Sequence, residues 1–321
     1  MTRIPLPTEP LLKQPLRARP RAGLLPSVHL LDHASIHALN AALVGGRPLL
    51  LRGQPGVGKS QLARAAADLL GRALVMHTVT GRTETDDLLW QVDLVARLAE
   101  AQLARTAEDR ARVDLQSFVC PGPLWWAFDW TSAERRWQAY RKVVAGTADA
   151  EPPDDPSPNG VVVLIDEIDK ADPAVPNGLL DALGHRGFTP PGGLPRVCQS
   201  TAHPPLVIFT TNEERHLPDA FLRRCFVHTM KLPDKHETLV KALCARGEAH
   251  GAVEAWGLSP KVLESAAEII AKDRRRKDAT KDYLPGVAEY LDLLRALRGA
   301  PDPAGLLKTL ATFVLDKQAD A

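Results

Sequence analysis

Gly53-Gln54-Pro55-Gly56-Val57-Gly58-Lys59-Ser60 fits the pattern G-x-x-x-x-G-K-[ST] at every fixed position. A glycine-rich turn lets successive backbone N–H groups point inward at phosphate oxygens without interference from a Cβ. A helix starting at Lys59 adds the positive end of its dipole. The Lys59 ammonium then reaches the β- and γ-phosphates as a point charge, and the Ser60 hydroxyl suits Mg2+, which prefers hard oxygen ligands. The expected nucleotide-binding stretch is therefore Gly53, Gln54, Pro55, Gly56, Val57, Gly58, Lys59, Ser60 and the adjoining Gln61.

The flanks are of the kind this loop needs. Pro48-Leu49-Leu50-Leu51 reads as a buried strand before it, and Ser60 to Leu70 is rich in helix formers, with Gly71 as a stop. Ala73 to Thr80 reads as the next strand. Thr83-Glu84-Thr85-Asp86-Asp87 then makes an acidic, capping start to a helix with Leu88, Val92, Val95 and Leu98 on one face. With the phosphate loop, the alternation predicts an α/β fold with a parallel sheet flanked by helices, and the helices-only pattern after Leu232 a small all-α domain.

A second chemical element is Val161-Val162-Val163-Leu164-Ile165-Asp166-Glu167. Five apolar residues, mostly β-branched, fit a central strand with two carboxylates at its carboxyl end, the edge where open α/β sheets take ligands. Asp166 is expected to hold Mg2+ through its water shell, and Glu167 to polarise an attacking water as general base. Away from a phosphate loop, the plainer reading is two solvated acids closing a strand.

Leu206 to Asn212 repeats the pattern and ends in an amide, so that Asn212 is a candidate to bond the γ-phosphate or the water, or simply a turn former. Leu217 to Cys225 reads as a short helix carrying Arg223 and Arg224 in its last turn. Those arginines either complement the helix end or stabilise charge in a neighbouring subunit's site.

Around these elements the chain divides into a Pro- and Arg-rich arm over 1–27, a nucleotide-binding domain over 28–232 and a helical lid over 233–321. The arm is expected to lack a fold of its own. An insertion at about 105–160 holds Trp125, Trp126, Trp130 and Trp137, which fit buried packing better than an exposed protein-binding patch. In the lid, Val287, Tyr290, Leu291 and Leu294 are expected on one face, as are Leu306, Leu310 and Phe313. The run Arg274-Arg275-Arg276-Lys277 reads as a solvated helix end, or else as a contact for nucleic acid or a phosphate.

The 321 residues carry a formal net charge of +1, which gives no global case for nucleic acid or an anionic membrane. Four scattered cysteines form no C-x-x-C pair, and no apolar run suits a membrane span or signal peptide. A cytoplasmic protein is the expectation.

The order of phosphate loop, Asp-Glu strand, Asn strand, paired arginines and helical lid resembles the AAA+ ATPases, and within them the MoxR-type, helix-2-insert branch. The resemblance runs from about Val28 to Leu297. It implies that Gly53 to Ser60 is Walker A, Val161 to Lys170 Walker B, Asn212 sensor 1, and Arg224, with Arg223 beside it, the arginine finger. It also implies Mg2+-dependent ATP hydrolysis by a homo-oligomeric ring, usually a hexamer, that remodels a protein partner. In this branch the partner is often a von Willebrand factor A domain protein. A helix-2 insertion is implied within Thr80 to Gly122, and a hairpin over Gly187 to Pro205 with Gly192-Gly193 as its turn. The chain departs from the family at sensor 2, where Pro285-Gly286-Val287-Ala288-Glu289 has no basic residue and the nearest are Lys281 and Arg295. Two other functions fit the residues less well: a nucleotide-dependent assembly switch with little turnover, and a DNA-dependent ATPase.

Overall fold

The computed structural model describes residues 6–12, 15–21, 27–106, 113–144, 154–276 and 284–315. Its strands are β1 (Leu16–Arg17), β2 (Val28–His29), β3 (Leu49–Arg52), β4 (Ala73–Thr78), β5 (Trp90–Val92), β6 (Val119–Pro121), β7 (Val161–Asp166), β8 (Gly187–Phe188), β9 (Val197–Cys198), β10 (Leu206–Thr211) and β11 (Phe226–Thr229). The helices up to β7 are α1 (Thr8–Leu12), α2 (His33–Gly45), α3 (Lys59–Leu70), α4 (Thr85–Leu89), α5 (Leu94–Leu103), α6 (Pro123–Phe128) and α7 (Trp130–Val143). Those after it are α8 (Ala174–Gly184), α9 (Asp219–Leu222), α10 (His236–Glu254), α11 (Pro260–Arg276), α12 (Val287–Ala296) and α13 (Pro303–Leu315).

Five strands form one sheet in the order β11-β3-β10-β7-β4. Strands β4 and β10 both pair with β7 in parallel, with Ile165 opposite His77 on one side and Phe209 on the other. Val161 to Ile165 and the whole of β10 are buried, as their unbroken apolar runs require of central strands. The register has a direct consequence. Asp166 and Thr210 each come one step after a paired residue, so the first polar groups of the two strands emerge side by side.

The chain falls into two compact units. The first is built from Ala38–Leu50 and Ala66–Val227. In it the predicted helix beyond Thr83 is cut in two, because Trp90–Val92 pairs antiparallel with Val119–Pro121 and Asp93 caps a fresh helix through Ala96 N–H. Leu88 is buried, whereas Val95 and Leu98 are exposed at 82% and 61%. Trp125, Trp126 and Trp137 are buried in the core of this unit, and Trp125 Nε1 donates to Ser132 Oγ at 2.8 Å. Among the described residues of the insertion, these three tryptophans thus pack by burial, as expected, and Trp130 lies half-buried against the same core. Strands β8 and β9 form an antiparallel hairpin whose connection holds Gly192 and Gly193 at positive φ.

The second unit comprises Leu6–His37, Leu51–Ala65 and the chain from His228 onward. Its core joins Val57 of the phosphate loop to Leu243, Ile270, Tyr290 and Leu293 of the lid helices. Within the arm, α1 and the antiparallel pairing of β1 with β2 differ from the expected absence of structure: the backbone finds partners in Val28 and His29. On α13 the buried face is Leu307, Ala311 and Leu315, while Leu306 and Phe313 are exposed. The i, i+4 row one residue further along carries the packing there.

Candidate functional site: a carboxylate corner and a phosphate loop

The first unit holds the carboxylates. Strand β7 ends at Asp166, and Glu167 turns the chain in the left-handed region at φ 60° and ψ 47°, ahead of a single 3-10 turn over Ile168–Lys170. A non-glycine residue in that region is strained by about 1–3 kcal/mol, and the neighbouring groups over-determine it. Thr210 Oγ1 accepts the Glu167 N–H at 2.9 Å and donates its one proton to Asp166 Oδ1. The Glu167 carboxylate is engaged at both oxygens: Asn212 Nδ2 donates to Oε1 at 3.1 Å and Lys170 Nζ to Oε2 at 2.6 Å. That bond to Glu167 raises the Lys170 ammonium above the ordinary lysine value. Buried Asp169 accepts the Glu214 N–H at 3.0 Å, which ties the turn after β7 to the turn after β10. Three of the expected residues, Asp166, Glu167 and Asn212, therefore lie in one hydrogen-bonded corner.

The second unit holds the phosphate loop and the helices packed on it. Gly53 sits at φ 147°, where an added Cβ would lie 2.3 Å from Met230 O; Gly56 and Gly58 also have positive φ. A Cβ on Gly56 would meet Ala288 at 3.2 Å, so the start of α12 rests on the loop. Lys59 begins α3 as expected, is buried, and donates from Nζ to Gly53 O at 2.6 Å and Gln54 O at 3.1 Å. Ser27 Oγ donates to Gln61 Oε1 at 2.8 Å, which commits that amide oxygen to the chain entering β2.

Among the described residues, Arg274 is a lid cation placed at this loop. Arg274 Nη2 donates to Gln54 Oε1 and Nη1 to Pro285 O at 3.0 Å. Partial burial lowers its pKa from the ordinary arginine value, with Asp234 opposing. Arg295 is held elsewhere, by Glu254 at 3.0 Å, and Lys281 lies outside the described residues. Buried Glu289 accepts the Gly286 N–H at 2.8 Å and caps α12.

Arg223 and Arg224 follow α9 and are exposed, Arg224 Nη1 donating to Ala220 O of its own helix at 3.2 Å. The donor set fits the expected groups. Backbone space that a Cβ would fill and a buried ammonium at the start of α3 suit a phosphate chain. The Ser60 hydroxyl and the Asp166 carboxylate are hard oxygen donors of the kind Mg2+ takes.

Thr210 and Lys170 have no functional reading in the sequence, and Arg274 has one only as a member of a basic run. Lys170 had a signal in its i, i+3 spacing from Glu167. Thr210 sits in a strand buried on both faces, where no alternation marks a residue out, and Arg274 was read only within a charge run.

The sequence model of the family described as AAA domain (dynein-related subfamily) matches residues 48–225. No curated protein matches the chain. Among solved structures, a point mutant of RuvB from Thermotoga maritima aligns at 16% identity and a TM-score of 0.43, over 86% of this chain and 62% of its own. The RuvB Holliday junction branch migration motor of Thermotoga maritima aligns at 17% identity and 0.44, over 88% and 67%. The chain thus spans less than two thirds of the first of these structures.

Proposed function

The chain belongs to the AAA domain family, in its dynein-related subfamily, and from that membership we propose that it hydrolyses ATP within a ring of identical subunits and uses the cycle to remodel a protein partner. The observation that carries this reading is the Glu167 carboxylate, set on a strained left-handed turn and oriented by Asn212. A strained polar residue at a strand's carboxyl end is where a general base belongs.

Each residue then has a task. The backbone of Gly53 to Gly58 and the Lys59 ammonium bind the phosphates. The Ser60 hydroxyl, and separately the Asp166 carboxylate through water, are the proposed donors to Mg2+, which would supply charge neutralisation at phosphoryl oxygens. Glu167 takes the proton of the attacking water, and Asn212 keeps its carboxylate in one rotamer. Arg224, with Arg223 beside it, projects from an exposed turn without an ionic partner among the described residues, which suits a role in a neighbouring subunit's site. Arg274, on the lid side of the loop, stands in for the basic residue missing at Pro285–Glu289. The proposed division of labour keeps the arm at 1–27, the nucleotide domain at 28–232 and the lid at 233–321. A partner of the von Willebrand factor A type is the branch's usual one and is proposed on that resemblance alone.

The test is steady-state ATPase activity against protein concentration, with mass followed by light scattering. Specific activity is expected to rise with assembly. Arg224→Ala is expected to lose about 10³-fold or more in kcat while still binding nucleotide. A second reading, an assembly switch with little turnover, is favoured by the Lys170–Glu167 pair, which occupies one oxygen of the base. Flat or absent turnover in a protein that binds ATP and assembles would decide for the switch.

A further inference from the structure

The turn that carries Arg223 and Arg224 is fastened to the end of α2 by a residue no motif covers. Helix α9 is a single turn, and the carbonyls of Arg223 and Arg224 come after its last hydrogen bonds, where helix ends leave acceptors unsatisfied. Arg47 supplies both: its Nε donates to Arg224 O at 3.1 Å and its Nη2 to Arg223 O. One planar fork thus holds two consecutive carbonyls. The same guanidinium lies 5.3 Å from the centre of the Phe226 ring. That ring in turn lies against Gly45, where an added Cβ would be 2.6 Å from Phe226 Cε2. The Phe226 N–H donates to Pro48 O at 2.8 Å. Residues 223–226 are therefore pinned to residues 45–48 through backbone, ring and guanidinium, all within one compact unit.

We propose that Arg47 is a positioning residue for the arginine pair: it fixes the backbone of Arg223 and Arg224 so that their guanidinium groups face outward toward a neighbouring copy of the chain. This rests on the reading of Arg224 as a group that acts in trans. Arg47 itself touches no reacting atom. Its own charge is spent on two carbonyls and an aromatic face, whereas the side chains that follow α9 stay exposed. Lysine is a poor substitute, because a point charge serves one carbonyl and not a fork of two.

The experiment uses the full chain, ATP as probe and mixed rings. Arg47→Ala is expected to bind ATP with parental KM and to lose about 10²-fold in kcat, the scale of a misplacement of about 1 Å. Arg47→Lys is expected to fall between the two. Mixing Arg47→Ala with an excess of Glu167→Gln subunits, which cannot hydrolyse but carry an intact arginine turn, is expected to restore turnover at the Arg47→Ala subunits' own sites. A fold defect would raise KM and resist such rescue. Parental kcat in Arg47→Ala, or a loss that mixing fails to restore when the same mixing does restore Arg224→Ala, overturns the assignment of Arg47 alone. If Arg224→Ala is not restored either, the trans reading falls and the role of Arg47 falls with it.

Discussion

The carboxylate corner is held in place by side-chain bonds between two strand ends, whereas the turns of the phosphate loop need side chains to be absent at Gly53 and Gly56. At the corner Thr210, Asn212, Lys170 and Asp169 each contribute a hydrogen bond, and a residue is forced into a left-handed conformation that its own side chain disfavours. At the loop, glycines take positive φ at no steric cost, and a Cβ would run into Met230 O at Gly53 and the Ala288 side chain at Gly56. The difference teaches where each region is vulnerable. An added methyl should break the loop, and a deleted hydroxyl should loosen the corner.

Gly53→Ala is the most severe test. The new Cβ would meet Met230 O at 2.3 Å, and φ 147° lies outside what an L-residue adopts. The Met230 N–H bonds Arg52 O at 2.8 Å, which anchors that residue beside β3. Strain and overpacking together cost about 2–6 kcal/mol. The expected outcome is a fall in the urea midpoint with nucleotide affinity largely lost. Gly193→Ala is the control, since positive φ occurs there in open space. Equal losses in the two would show that conformation, and not the Met230 carbonyl, limits the loop.

Acid should separate the regions next. Burial pushes the His29 imidazole down to about 4, with Arg246 and His250 adding to the shift and Asp32 opposing it. His250 and His228, in the same compact unit as the loop, are lowered from 6.5 as well, chiefly by burial; His77 is the lowered histidine of the other unit. Below pH 6.5 the unfolded chain binds a proton that the folded His29 refuses until about pH 4. Stability is therefore full above pH 6.5 and falls as pH drops through that window, by up to about 3 kcal/mol for His29 and by less to the extent that the ring meets solvent. The urea midpoint at pH 5 is expected to lie below that at pH 7.5, and His29→Gln to recover part of the difference. A difference that His29→Gln leaves untouched would assign the acid sensitivity to the other histidines.

The two regions were also unequally legible. The phosphate loop can be read letter by letter, because glycine and lysine at fixed spacing have few alternative explanations, and its strand and helix follow from local pattern. The end of β7 was legible as a carboxylate pair for the same local reason. What joins the corner, the bonds from Thr210 and Asp169, spans about 45 residues and depends on strand register, which no single stretch encodes. Beyond Thr83 the local apolar period points to one helix, and pairing with a distant segment, Val119–Pro121, overrides it. Likewise Arg274 reaches Gln54 across 220 residues, and only the packed lid reveals which member of a basic run is placed at the loop.

Thr210→Val gives the mildest and most specific test of the corner. Valine keeps the shape and β-branching but removes the oxygen that accepts the Glu167 N–H and donates to Asp166. A buried N–H without a partner costs about 1–3 kcal/mol, and the turn that places Glu167 loses one of the bonds that over-determine it. Stability is expected to fall within that range and kcat to fall with it, while KM for ATP, set by the loop, stays near parental. Thr210→Ser restores the hydroxyl and is expected to behave like the parent on both counts. If valine and serine were equivalent, register alone would hold Asp166 and Glu167, and the contrast between a corner fixed by side-chain bonds and a loop that needs bare glycines would fail.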